Sequence, residues 1–365
     1  MNCKRYLPPE KLELFLNELP KTIKQEELGR SVNGLPIHML QLGRGRQKIM
    51  MWSQMHGNES TTTKALFDLI PWLNKTEQAL LLDNFTFYVI PQLNPDGAKA
   101  YTRLNANQVD LNRDAIDLSQ PESKVLRAFF DRITPDYALN LHGQRTIYGA
   151  GPQGQAATLS FLAPSADHER SVTPTRAKAM RAIAAIHQAL KKDLPQGIGR
   201  YNDQFNPNCV GDSFTQAGVP TLLFEAGHYP NDYQREQVRG FVFKAYQALF
   251  QYLLKKEPDF TPAEYFDIPE NSPDYIDLVV SNIHVKERGV VHKNQQLALQ
   301  YLEELKEGRV VFTPTLKAYG KELPFKFHRF FELSPKENDI LLEFSFDKTI
   351  DSPYLNKLFS VNHLI

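Results

Sequence analysis

Short apolar segments rich in β-branched or aromatic residues recur at 36–42, 48–54 and 85–91, and again at 137–141 and 221–224. Each is of strand length, and several end abruptly in polar or titratable side chains. Helical patterns lie around and between them at 9–19, 60–82, 121–132, 174–192 and 232–254. A helix with one apolar stripe must bury it, and strands that alternate with such helices do so by forming a sheet covered on both faces. The expected fold class is therefore α/β, with a mixed, mostly parallel central sheet and helices on both faces. No internal repeat is present.

The last of these helical patterns runs out at Lys255-Lys256. After it come Glu-Pro-Asp-Phe-Thr-Pro-Ala-Glu and Ile268-Pro-Glu-Asn-Ser-Pro-Asp, polar and proline-rich as domain boundaries are. The expected division is a catalytic unit over 1–257 and an accessory unit over 258–365. In the latter, 276–285, 309–316 and 339–346 read as strands and 295–306 as a helix. That predicts a small α+β or mostly β appendage, whose sequence names no chemistry.

Charge narrows the function classes. Lys plus Arg and Asp plus Glu each number 42, which removes the long-range field used by binders of nucleic acid or anionic membranes. The apolar stretches are too short to span a bilayer. Cys3 and Cys209 are too few for a disulfide framework or a thiolate zinc site and suit a reducing compartment, and no apolar run follows the N-terminal Lys4-Arg5. The expected setting is cytoplasmic, without nucleic-acid or membrane partners, and any metal must be held by His and carboxylates.

Three strand ends carry such groups. In Met55-His-Gly-Asn-Glu-Ser, His56 and Glu59 sit between an apolar strand and the helix that opens at Ser60. Open α/β sheets place their sites at that edge, and an imidazole and a carboxylate three residues apart can share one zinc ion. Leu141-His142-Gly143 presents a second imidazole at another strand end. Two His and one Glu would make a three-ligand site with an open position, as catalysis requires. Thr221-Leu-Leu-Phe-Glu-Ala-Gly ends a third strand in Glu225, a carboxylate able to take a proton from an attacking water and return it to a leaving amine. Each motif alone also fits a bland role: a polar loop, a structural histidine, a salt-bridged glutamate. Between them, Asn94-Pro-Asp-Gly97 is a strong turn signal, and Asp110-Leu-Asn112-Arg113 offers a guanidinium fork and an amide that match a substrate carboxylate.

The ordered set His56-x-x-Glu59, Asn-Pro-Asp-Gly, Asp110-Leu-Asn-Arg113, Leu-His142-Gly and Phe-Glu225 resembles the M14 family of zinc carboxypeptidases. The Gly29-Arg-Ser-Val-Asn-Gly-Leu-Pro-Ile entry extends the likeness over roughly residues 25–255. The resemblance implies one zinc ion on His56, Glu59 and His142, with Asp110 orienting His56. It implies that Asn112 and Arg113 bind the substrate's terminal carboxylate, that Arg103 polarises the scissile carbonyl and steadies the oxyanion, and that Glu225 is the catalytic glutamate. Tyr201 stands nearest to where that family's mobile tyrosine lies, without matching its spacing. Asp212 falls where the specificity pocket is lined, as a selector of basic side chains or as a cap on the following short helix. Glu225 is followed by Ala-Gly-His228, unlike the digestive members, so His228 is either a further site residue or a loop histidine.

The leading function is hydrolysis of a C-terminal peptide or isopeptide bond in a peptide or small amino-acid-derived substrate with a free carboxylate. Peptides of cell-wall turnover are among the substrates the resemblance implies. The related deacylases of N-acyl amino acids share His-Gly-Asn-Glu and Asp-Leu-Asn-Arg and carry an extra C-terminal domain, which keeps that branch as the alternative. A binding protein on an inactive peptidase fold is a third reading, and it would be expected to have lost a ligand or the general base.

Overall fold

The structure is a computed structural model describing residues 4–151, 153–255, 260–287, 289–333 and 341–343. Its larger sheet has eight strands: β1 (Lys24–Arg30), β2 (Pro36–Gly43), β3 (Gln47–Ser53), β4 (Phe85–Ile90), β5 (Tyr137–Gly143), β6 (Leu159–Leu162), β7 (Ile198–Arg200) and β8 (Thr221–Ala226). They lie in the order β1-β2-β4-β3-β5-β8-β6-β7. The central run β4-β3-β5-β8 is parallel, as is β6-β7, while β1-β2, β2-β4 and β6-β8 are antiparallel. This is the mixed, centrally parallel sheet expected from the alternating pattern.

Alternation along β3 divides the core. Ile49 and Met51 face one side and Met50 and Trp52 the other, and all four are fully buried. The first side packs against α2 (Thr61–Leu73), α6 (Pro174–Leu190) and α8 (Glu236–Leu254), through residues such as Leu66, Ile183 and Tyr246. The second packs against α5 (Pro121–Ile133) and α7 (Val210–Gln216), where Trp52 meets Phe214 edge to face at 5.3 Å. Each such side chain contributes about 1.5–3 kcal/mol by leaving water. The remaining helices are α1 (Pro9–Asn17), α3 (Ala79–Asn84), α4 (Pro95–Ala100) and α9 (Pro262–Phe266).

The single helix expected over 60–82 is two. Pro71 in the last turn of α2 lacks an N–H and crowds the preceding turn, and after Leu73 the chain passes through a 3₁₀ turn at Thr76–Gln78 before α3.

The C-terminal unit is a five-stranded sheet of β9 (Tyr275–Glu287), β10 (Val290–Lys306), β11 (Arg309–Gly320), β12 (Lys326–Glu332) and β13 (Leu341–Glu343), in the order β11-β10-β9-β12 with β13 also on β9. The helix expected over 295–306 is instead part of β10. Its Gln, Leu, Ala and Glu residues favour helix, but β10 pairs on both sides and buries the run Leu297–Tyr301, so packing overrides local propensity. The β10–β11 hairpin turns on Glu307 and Gly308, both at positive φ, as a two-residue primed turn requires. The expected boundary near 258 falls outside the described residues, as do 339–340 and 344–346 of the last expected strand. Tyr265 and Ile268, beyond that boundary, are buried in the core of the larger sheet. No described helix is long and apolar enough to cross a membrane.

Candidate metal centre

β3, β5 and β8 are parallel neighbours, so their C-terminal ends open at one edge of the sheet, and His142 and Glu225 are partners in the β5–β8 register. His56 follows β3 on a loop braced from below by the Asn-Pro-Asp-Gly turn. Asn94 accepts a hydrogen bond from the Gly97 N–H (2.8 Å), capping α4, and donates to the Met55 carbonyl (3.1 Å). The contact is so close that a Cβ on Gly57 would lie 1.9 Å from the Gly97 carbonyl carbon. The turn read from the sequence thus positions the first histidine.

His56 Nδ1 lies 3.0 Å from Glu59 Oε1 and 3.1 Å from His142 Nδ1, which is itself 3.1 Å from Glu59 Oε2. A tetrahedral zinc ion with ligands at about 2.0–2.1 Å spaces them about 3.3 Å apart. The donor set and spacing therefore fit one such ion, and His56, Glu59 and His142 form a group able to hold a metal. Two ring nitrogens that face each other this closely cannot both carry protons, and a shared cation reconciles their lone pairs. The far nitrogen of His56, Nε2, lies 3.0 Å from Asp110 Oδ1, which fixes ring orientation and tautomer. Glu59 also accepts from the Gly143 N–H at 2.9 Å.

Electrostatics follow from burial. Desolvation pulls the His56 imidazole down, but Glu59 and Asp110 outweigh it and raise it to about 9. Burial pushes the Glu59 and Asp110 carboxyls up, and the adjacent imidazoles outweigh it and hold both well below the carboxylate range. His142 is lowered by its burial. Glu225, partly buried beside them, is raised well above the usual carboxyl range, first by desolvation and then by the charge of Glu59, and its Oε2 is enclosed with no hydrogen-bond partner among the described residues.

The other expected residues gather around one cavity of about 650 Å³, whose lining includes His56, Glu59, Arg103, Asn112, Arg113, Tyr201, Asp212 and Glu225. Arg103, half exposed, pairs with Asp110 at 2.9 Å and reaches to 3.5 Å from Glu59. Asp110 caps the 3₁₀ turn Leu111–Arg113 by accepting from the Asn112 N–H (2.9 Å), and Asn112 accepts from the Val210 N–H (3.3 Å). Asp212 lies inside α7, not at its N-cap, which is Cys209, and burial raises its carboxyl to about 7 even beside Arg113. Tyr201 packs edge-on against Tyr148 at 5.4 Å, and burial and the nearby Glu225 raise its hydroxyl. His228 is not in the cavity lining. It is buried under the second sheet against Tyr233 and His328, with ring centroids 4.7 and 4.1 Å away.

The cavity also contains residues the motifs did not reveal: Arg5, Arg145, Tyr148 and Arg235, and the stretch Gln300–Glu303 of β10. No local signal marks the last group, because the segment reads as a helix and meets the site only through tertiary packing.

A central parallel sheet presenting two histidines, a glutamate and a second, partly buried glutamate at adjacent strand ends defines a metallohydrolase-type site. The family model for zinc carboxypeptidases, peptidase M14, matches residues 10–210, and the chain belongs to that family. Among curated relatives, carboxypeptidase SOL1 of Arabidopsis thaliana is 29% identical over 150 residues, covering 35% of this chain and only 30% of its own length. Among solved structures, bovine thrombin-activatable fibrinolysis inhibitor in complex with tick carboxypeptidase inhibitor superposes with a TM-score of 0.57 at 15% identity, over 70% of this chain and all of that one. The metallo-carboxypeptidase of Pseudomonas aeruginosa, in complex with (2-guanidinoethylmercapto)succinic acid, gives 0.56 at 18% identity over 68% of this chain and 70% of its own. At these identities the structures establish the fold.

Proposed function

We propose that the protein hydrolyses a C-terminal peptide or isopeptide bond of a small substrate with a free carboxylate, with one zinc ion held by His56, Glu59 and His142. The observation that carries this reading is the convergence of those three donors beside the unpartnered, enclosed Oε2 of Glu225, in a cavity that also contains Asn112 and Arg113.

A bound zinc ion supplies the Lewis acidity that activates water and polarises the scissile carbonyl. Glu225, whose carboxyl would ionise beside a bound cation, accepts the proton of the attacking water and passes it to the leaving nitrogen. Arg103, tethered by Asp110 beside Glu59, stabilises the negative charge that develops on the carbonyl oxygen. The Arg113 fork, with Asn112 held against α7, binds the terminal carboxylate. Tyr201 closes over the substrate beside Glu225, and Asp212 sits where the departing residue's side chain is chosen.

Deacylation of N-acyl amino acids is the second reading, favoured by the β10 wall that encloses the cavity. Mass spectrometry of zinc-loaded protein incubated with ordinary peptides, cell-wall peptides and N-acyl amino acids separates the two. Loss of a terminal residue from a peptide is the expected result. Release of only small acyl acids moves the protein to the deacylase branch, and silence across the panel refutes both.

A further inference from the structure

The cavity lining includes two groups of residues. In one, Arg113 stands close enough to Cys209 and Asp212 for its charge to act on both. The other is a wall of Gln300–Glu303 of β10 together with Arg5, Thr146 and Arg235. Arg235 feels the charges of both Glu59 and Glu303, so the metal-ligand group and this wall lie within electrostatic reach of one residue.

The wall is a built surface and not a loose flap. Gln300 donates to the Thr146 hydroxyl at 2.7 Å, the Tyr301 N–H donates to Asp277 at 2.8 Å, and the Tyr301 ring packs edge-on against Tyr233 at 5.4 Å. Glu303 has one oxygen locked: Oε2 accepts from Arg5 at 2.5 Å and from the Tyr101 hydroxyl at 2.6 Å. Its Oε1 accepts no hydrogen bond among the described residues, and the side chain keeps 23% of its surface open. Burial favours its neutral form, but Arg5 and Arg235 hold the carboxyl below its ordinary range, so it stands ionised.

The cations nearby are already engaged. Arg5 is buried against Glu303, Tyr101 and the Tyr233 carbonyl, and Arg235 donates to the carbonyls of Ala226 and Gln144. Arg145 is exposed, where solvent and salt screen it. A fixed carboxylate with one open oxygen, in the cavity that also contains Asn112 and Arg113, matches a three-donor ammonium group.

We infer that Glu303, contributed by the accessory sheet, binds the free amino terminus of a short peptide substrate, making the enzyme selective for unblocked small peptides. This rests on the peptidase reading above.

The test is kcat/KM, measured by mass spectrometry on the zinc-loaded full chain, for tripeptides with a free or N-acetylated amino terminus. Acetylation is expected to lower kcat/KM by about ten- to a hundredfold, the scale of one charge-assisted hydrogen bond. Glu303→Gln is expected to bring the free-to-acetylated ratio close to one. Equal rates on free and acetylated tripeptides would overturn the inference and leave the peptidase reading standing, whereas no cleavage of any peptide would overturn both. If Glu303→Gln does not fold, the ratio in the unaltered protein decides alone.

Discussion

Replacing Glu225 by glutamine removes a proton acceptor and changes almost nothing else. The side chain is partly buried, its backbone is fixed by register with His142 on one side and Ser160 on the other, and the amide has the volume of the carboxyl. Because burial makes this carboxyl costly to ionise, its neutral replacement should not lower the melting temperature. The metal ligands are untouched, so zinc should remain bound at one per chain. A positioned general base contributes about 10²- to 10⁴-fold, and kcat should fall by that factor, or about 3–5 kcal/mol in barrier. The assay pairs metal analysis by mass spectrometry with steady-state rates on the best peptide of the panel. A zinc-loaded, folded Glu225→Gln enzyme within about tenfold of the parent rate would refute the assigned role.

Two further outcomes follow from the geometry. His142→Ala removes one of three converging donors, so zinc affinity should fall by orders of magnitude with the fold retained; unchanged stoichiometry and affinity would mean that the ligand set is wrong. Asp277, buried between the Tyr233 hydroxyl, Gln300 and the Tyr301 N–H, has its carboxyl raised from 3.8 to about 7, chiefly by desolvation. Because the folded value exceeds the unfolded one, its contribution is fully present below about pH 4 and is lost as pH rises through about 7, a change of about 4 kcal/mol. Urea midpoints between about pH 5 and 8 should therefore fall more steeply for the parent than for Asp277→Asn, and equal slopes would contradict the burial argument.

Much of the site is legible in the chain because its chemistry is local. His56 and Glu59 share one loop, Asp110 and Arg113 share one turn, and Asn94-Pro-Asp-Gly97 carries its own turn geometry. Asp212 shows the limit. Its residue type suits a helix cap or a pocket wall equally, and only the position of α7 shows it inside the helix and lining the cavity. His228 shows it too, since nothing in Glu-Ala-Gly-His says that a second sheet will cover the ring.

In the accessory sheet, the helix expected over 295–306 gives way to a strand for a related reason. Helix-forming residues over 295–306 describe what an isolated segment prefers, while β9 and β11 decide what β10 becomes. The same pairing carries Glu303 to the catalytic cavity beside Arg5, almost three hundred residues away in the chain.

By itself, then, the sequence determined the alternating α/β plan and the candidate site residues at the strand ends, since these depend on periodicity and short spacing. Tertiary structure decided which distant segments join the candidate residues in the cavity lining, among them Arg5 and Gln300–Glu303. That lining is made of contacts between distant segments, and no single segment encodes the packing that brings them together.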